Sequence, residues 1–142
     1  MIDAFAKAYK ARPELRLYIM GDGLERENLE RQITSLSLQG IVNLLGYRKN
    51  PYSVMNEMDA FISTSRYEGQ GMNILEAMAV GLPVYCTKNL ERYINGLKGY
   101  EDIAAAIIAA EKEPKHPDDL LEYNTAIKNA ISDLIERAAE AE

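Results

Sequence analysis

Two glutamates, Glu68 and Glu76, stand eight residues apart with glycine and amide-bearing residues between them. Ionised carboxylates accept hydrogen bonds from sugar and ribose hydroxyls. Gly69 and Gly71 let a backbone come close to a ligand. If a loop containing Gly69, Gln70 and Gly71 leads into a helix at Met72, the N–H groups of Gln70, Gly71, Met72 and Asn73 stand at a helix start. There the orphan donors and the helix dipole favour an anion, most readily a phosphate. A carboxylate touching that phosphate would repel it, so the two kinds of group must address different parts of one ligand. Phosphate held by backbone and hydroxyls held by carboxylates together describe a nucleotide sugar. On residue type alone, Glu76 is also what an ordinary early-helix glutamate looks like.

The elements around these residues are legible. Residues 59–65 are short, β-branched and aromatic, which suits a buried strand. Residues 66–71 carry two glycines and no apolar run, which is loop chemistry. From Met72 the apolar residues Met72, Ile74, Leu75, Met78, Ala79 and Leu82 recur at helical spacing. Gly81 sits where a helix C-cap glycine belongs, and Pro83 follows as a stop. Residues 83–87 form the next strand. Strand, helix and strand of these lengths make a right-handed βαβ unit with a parallel pair. The loop then lies at the carboxyl end of a strand and the amino end of a helix.

The run STSRYEGQGMNILEAMAVGLPV, which holds this unit, resembles the E-x7-E region of the retaining GT-B glycosyltransferases. It is closest to family 4, the glycosyl transferases group 1. Two glutamates at this spacing are a weak signal; the EG-x-G loop, LEAMA and G-x-PV around them make it specific. The resemblance implies a nucleoside diphosphate sugar donor, retention at the anomeric carbon, and Glu76 on the ribose hydroxyls. It places Glu68 beside the donor sugar as the catalytic residue, orienting a hydroxyl or steadying positive charge. Gly69, Gln70, Gly71, Met72 and Asn73 would line the donor. It implies no metal, because enzymes of this kind meet the charge of the departing diphosphate with helix dipole and basic side chains.

The rest of the chain fits one Rossmann-like parallel sheet with helices on both faces, the C-terminal half of a GT-B fold. Residues 1–12 read as a helix with Ile2, Phe5, Ala6 and Tyr9 on one face, and residues 15–20 as a strand. Gly21 and Gly23 bracket a G-D-G turn, which by resemblance borders the donor site. Residues 24–38 read as an amphipathic helix with Leu24, Asn28, Leu29, Ile33 and Leu36 inward or near it. Residues 41–45 form a strand closed by Gly46. Tyr47 and Arg48 follow; the resemblance puts this loop beside the nucleobase. Arg48 and Lys49 are the best local cations for a diphosphate, and are equally what solvated basic loop residues look like. Asn50-Pro51 starts a short helix. Residues 88–100 read as a compressed connection, with Glu91 at a further acidic position of the family. Residues 101–112 and 118–140 read as closing helices. His116, the one histidine, lies in the breaker loop between them, without the positioned partner a general base needs.

Composition narrows the classes. With 142 residues the chain is long enough for one domain with a real core. Its net charge of −6 argues against a nucleic-acid partner. No apolar run approaches membrane-spanning length and no signal sequence opens the chain. The single Cys86 forms no internal disulfide, which agrees with a reducing cytoplasm. The expected location is cytoplasmic, peripheral at the inner membrane face in a full-length protein. The resemblance covers most of a donor-binding domain over residues 1–142, without its first βα piece or the N-terminal domain that takes a glycan or lipid acceptor. The expectation is therefore a fragment of a two-domain hexosyltransferase, inactive by itself, with a uridine donor favoured and no cofactor. A nucleotide-sugar binding module without catalysis, and a sugar-nucleotide epimerase of the same architecture, are the other readings.

Overall fold

The computed structural model describes residues 1–69, 71–94 and 97–110. In chain order the elements are α1 (Ile2–Ala11), β1 (Leu17–Met20), α2 (Arg26–Ser35), β2 (Val42–Gly46), α3 (Pro51–Asn56), β3 (Phe61–Ser63), α4 (Met72–Ala79) and β4 (Val84–Thr87). A 3₁₀ turn (Lys88–Leu90), β5 (Gly99–Tyr100) and α5 (Ile103–Ala109) complete the set. The expected helix over residues 118–140, the loop with His116, and Gln70 lie outside the described residues.

Every ladder is parallel. β1 pairs with β2, Leu17 opposite Val42 and Ile19 opposite Leu44, with a bulge before Met20. β3 pairs with β4, and β4 with β5. The described strands form two groups, β1-β2 and β3-β4-β5, and among the described residues no ladder pairs β1 with β3.

Helices cover both faces and join the two groups. On one face, Ile2 and Phe5 of α1 pack with Leu17, Ile33, Leu38 and Val42. Ala8, one turn on, packs with Ile103 and Ile107 of α5 over Ile62 and Tyr85. On the other face, Met55 and Ala77 pack with Leu82, and Met20 of β1 and Phe61 of β3 both reach that cluster. Phe61 and Ile62 thus point to opposite faces, as the period of two in a strand requires.

The helix that opens at the acidic loop is closed by its sequence. Ile74 and Ala77 are fully buried and three apart, the spacing of one helical face. At its end Gly81 adopts φ +76°. The Gly81 N–H donates to the Met78 carbonyl at 2.9 Å and the Leu82 N–H to the Ala77 carbonyl at 3.0 Å. This is the paired-bond glycine cap expected from Gly81-Leu82-Pro83. α5 begins with Asp102, whose carboxylate accepts from the N–H groups of Ala104 and Ala105.

Three expectations change. α2 starts at Arg26, so Leu24 falls in the preceding turn and is wholly exposed. Leu36 is exposed after the last turn, and Leu38 fills the core instead. Asn28 lies outside, bonded to Glu25 and Arg31. The strands are also shorter than their apolar runs: a turn in which the Leu15 N–H donates to the Arg12 carbonyl delays β1 to Leu17.

Residues 88–100 do contain a strand, β5. A Cβ on Gly99 would lie 2.7 Å from Lys88 Cα, so glycine is what lets the two backbones meet. Glu91 holds the pair together. Its Oε1 accepts from the Gly99 N–H at 2.8 Å, and its Oε2 lies 2.7 Å from Lys88 Nζ. The Lys88 ammonium first, and the Gly99 N–H second, hold the Glu91 carboxyl below its ordinary 4.5. A carboxyl with a lowered folded-state pKa stabilises the fold above its unfolded value. That contribution fades as pH falls through the folded value. Replacing Glu91 by Gln should therefore lower the thermal midpoint near pH 7 and narrow the gap to wild type below about pH 4. A gap of constant size from pH 7 to pH 3 would contradict this role.

Candidate functional site

β3 ends at Ser63, which is buried, and the chain turns into the loop of residues 64–71. Asn89, on the 3₁₀ turn after β4, fixes the base of this loop. Its Nδ2 donates to the carbonyls of Ser65 and Arg66, both at 3.1 Å. The tip is open: Tyr67 is 80% exposed, and a Cβ on Gly69 would meet nothing within 4 Å. Glu68 is half-buried, and no hydrogen bond or ion pair from the described residues holds it.

Gly71 is a tighter position. It caps α4 in the left-handed region, φ +61° and ψ +32°. A Cβ there would lie 2.7 Å from Ile94 Cδ1, the movable end of a side chain, so it is the backbone angle that favours glycine. The N–H groups of Ile74 and Leu75 both donate to the Gly71 carbonyl, at 2.9 and 3.0 Å. The N–H groups of Met72 and Asn73 precede this first helical pair, where the helix leaves its donors for an outside acceptor. Met72 is 55% exposed, and its side chain stands at the open surface.

Glu76 lies one turn into α4 and is half-buried. The hydroxyl of Tyr52, on the first turn of α3, donates to Glu76 Oε1 at 3.0 Å. That bond, and the carboxylate charge, raise the Tyr52 phenol above its ordinary value. α3 follows directly on the loop of Tyr47 and Arg48, so this bond ties the end of β2 to the helix after β3. A second tie lies further along the same edge. Gly21, at φ +113°, donates its N–H to the carbonyl of Gly46 at 2.9 Å. It joins the loop with Gly21 and Gly23 to the loop that leads to Tyr47.

All these loops follow strands of parallel sheets, so they share one edge, the carboxyl edge where doubly wound folds take ligands. Tyr47 is 78% exposed there. Arg48 and Lys49 are exposed beside it, and neither forms an ion pair with a described carboxylate. The edge therefore offers helix-start donors, two carboxylates, an aromatic face and two cations. Tyr52 and Asn89 were not visible as site residues in the sequence; both act through partners more than twenty residues away.

Two surface depressions, of about 310 and 540 Å³, lie elsewhere, along α2 and the outer side of β2. Their linings include Glu27, Glu30 and Arg31 from the solvated face of α2, where Arg26 pairs with Glu30 at 3.1 Å. Exposed pairs at this spacing are ordinary helix surface. The candidate groups stand at the carboxyl edge, an open face rather than a closed cavity. Among the described residues no three metal-ligating side chains come together, and no helix is long and apolar enough to cross a membrane.

Comparison with known proteins gives the family and the fold. Residues 1–127 match the profile of the glycosyl transferases group 1. A poly(glycerol-phosphate) alpha-glucosyltransferase of Bacillus subtilis is 34% identical over 125 residues, which cover 79% of this chain and 18% of that protein. An uncharacterised glycosyltransferase of Methanocaldococcus jannaschii is 34% identical over 87 residues, 61% of this chain and 21% of that protein. The chain thus spans about a fifth of the length of these two relatives. Among solved structures, the Anabaena protein HepE in complex with UDP superposes with a TM-score of 0.67 at 26% identity, over 93% of this chain and 44% of that one. The pneumococcal O-GlcNAc transferase GtfA, in complex with UDP and GlcNAc, superposes with a TM-score of 0.72 at 20% identity, over 98% of this chain and 32% of that one. The parallel Rossmann-like sheet is the fold of both. The chain belongs to the glycosyl transferases group 1 family.

Proposed function

We propose that this chain is the donor-binding domain of a glycosyltransferase that takes a nucleoside diphosphate sugar and transfers the sugar with retention. The observation that carries the reading is the α4 start: a left-handed Gly71 that opens the helix donors, with Glu76 one turn behind on the same carboxyl edge. The Glu76 carboxylate accepts hydrogen bonds from the ribose hydroxyls. The backbone at Gly69, Gln70, Gly71, Met72 and Asn73 lies along the sugar and the diphosphate. Tyr47 and the turn of Gly21 and Gly23 border the base. Uridine is favoured because the HepE structure, 26% identical, holds UDP.

In the transfer the bond between the anomeric carbon and the diphosphate oxygen breaks, and the electron pair leaves with the nucleotide. Negative charge grows on the departing phosphate. In this reading the helix-start donors of α4 stabilise it without a divalent ion, with Arg48 and Lys49 as the local cations. Positive charge grows at the anomeric carbon, and the Glu68 carboxylate is the group that steadies it. The acceptor hydroxyl oxygen forms the new bond to that carbon on the face the phosphate leaves, and its proton passes to the departing phosphate. A glycan or lipid acceptor is bound by a second domain, so the chain works as part of a longer hexosyltransferase, cytoplasmic and peripheral to a membrane.

The parent enzyme, given an α-linked UDP-sugar and a glycan acceptor, should yield an α-linkage by proton NMR. A β-linkage would overturn retention. Turnover by the 142-residue chain alone would overturn the division of labour between two domains.

A further inference from the structure

Tyr52 stands out as the side chain that fixes a carboxylate from another element. Its hydroxyl donates to Glu76 Oε1 at 3.0 Å across a sequence gap of 24 residues. Glu76 is half-buried and has several rotatable bonds, and such a side chain keeps one orientation only when something holds it. A phenol on the first turn of a neighbouring helix is a good clamp. Its ring swings about two side-chain bonds, and its oxygen gives a directed donor. The clamp also leaves acceptor capacity. One donor occupies one site of Oε1, and an ionised carboxylate offers about four sites in all. Oε2 and the rest of Oε1 stay available for two ligand hydroxyls.

The position of Tyr52 adds a second consequence. Pro51 precedes it at the first turn of α3, and the exposed Arg48 and Lys49 lie just before. The same hydroxyl bond therefore joins the helix that carries Glu76 to the segment that borders the base and the diphosphate. A shift of that loop would be felt at the carboxylate, and the reverse.

We propose that Tyr52 is a positioning residue for nucleotide recognition: its hydroxyl sets the orientation in which Glu76 receives the ribose hydroxyls. The proposal rests on the reading of Glu76 as the ribose carboxylate. Tyr52 does not touch the reacting atoms, and its contribution is to affinity and to ribose discrimination.

The test is titration calorimetry of the 142-residue chain with UDP and with 2′,3′-dideoxy-UDP. The proteins are wild type, Tyr52→Phe, Glu76→Ala and the double variant. A single hydrogen bond is worth about 0.5–1.5 kcal/mol, so Tyr52→Phe should weaken UDP by roughly 2- to 12-fold. It should leave the dideoxy analogue within about twofold, and it should add no further loss in the Glu76→Ala background. The unliganded thermal midpoint of Tyr52→Phe reports separately on the fold. Equal losses for both nucleotides, a full loss in the Glu76→Ala background, or unchanged or tighter UDP binding would each overturn the proposal. If Glu76→Ala itself left UDP affinity unchanged, the underlying reading of Glu76 would fail and the role of Tyr52 with it. If Glu76→Ala weakened UDP and Tyr52→Phe did not, only the role of Tyr52 would fail.

Discussion

Glu76→Ala should weaken UDP binding by roughly 10- to 150-fold while the fold persists. A hydrogen bond to a charged group contributes about 1.5–3 kcal/mol, and 1.4 kcal/mol is a factor of ten. The lower end corresponds to one ribose hydroxyl held by the carboxylate, the upper end to two that share it. The fold should tolerate the change for local reasons. Glu76 is half-buried, and its side chain bonds Tyr52, whose own ring is 43% exposed. Alanine is also the strongest helix former, so α4 keeps its backbone preference. The loss should therefore show in calorimetry with UDP and hardly at all in the unliganded thermal midpoint. An affinity within twofold of wild type would remove Glu76 from the site.

Ile74→Ala should give the largest loss of stability among single changes near the site, about 2–5 kcal/mol. Ile74 has no exposed surface, and its cluster holds Cys86, Leu90, Ile94 and Leu97. Removing the side chain leaves a cavity between α4, β4 and the segment after the 3₁₀ turn, all of which must hold still for the loop before α4 to keep its shape. Domains of this kind have only about 5–15 kcal/mol in total. At about 3 °C per kcal/mol for a chain of this length, the midpoint should fall by roughly 6–15 °C. Ile74→Val should cost about 0.5–1.5 kcal/mol, because it removes one methylene. Ile94 Cδ1 and Ile74 Cδ1 both lie against the space above Gly71. The cavity should therefore also loosen the helix start, and UDP affinity should fall with stability. A midpoint within 2 °C of wild type for Ile74→Ala would contradict this packing.

How far the sequence reached depends on whether a feature is local. The strands at β1, β2, β3 and β4 announce themselves as short, mainly apolar runs, as strands of a parallel sheet covered by helices do. The Gly81 cap of α4 was legible because its chemistry is complete within a few residues. β5 was not. It has two residues, and it exists because Glu91 accepts from Gly99 and because Gly99 lacks a Cβ that would strike Lys88. The frame of α2 was misjudged at its ends for the same reason. Leu24 fits the apolar stripe but falls in the turn before the helix begins, and at the other end only the core shows that Leu38 takes the place of Leu36.

The site divides in the same way. Glu68, Gly69, Gly71 and Glu76 were legible as candidates because the EG-x-G loop, LEAMA and G-x-PV around them carry the resemblance; their spacing alone is a weak signal. Their mutual setting was not. The Tyr52 bond to Glu76, the Asn89 bonds to the loop base and the Gly21 bond to Gly46 arise only when separate βα units pack side by side. The split between β1 and β3 belongs to this class as well. Helices on both faces carry the core across it, through Phe5 and Ala8 on one side and Met20 and Phe61 on the other.

The most direct test of the donor site is a thermal-shift series on the 142-residue chain with UDP, GDP, ADP and their sugar conjugates. At a hundred times its dissociation constant a ligand that binds only the folded state adds about 2.7 kcal/mol. The midpoint should rise clearly with one base, uridine favoured, bound at the carboxyl edge of the sheet. No rise with any of these nucleotides at millimolar concentration would contradict it.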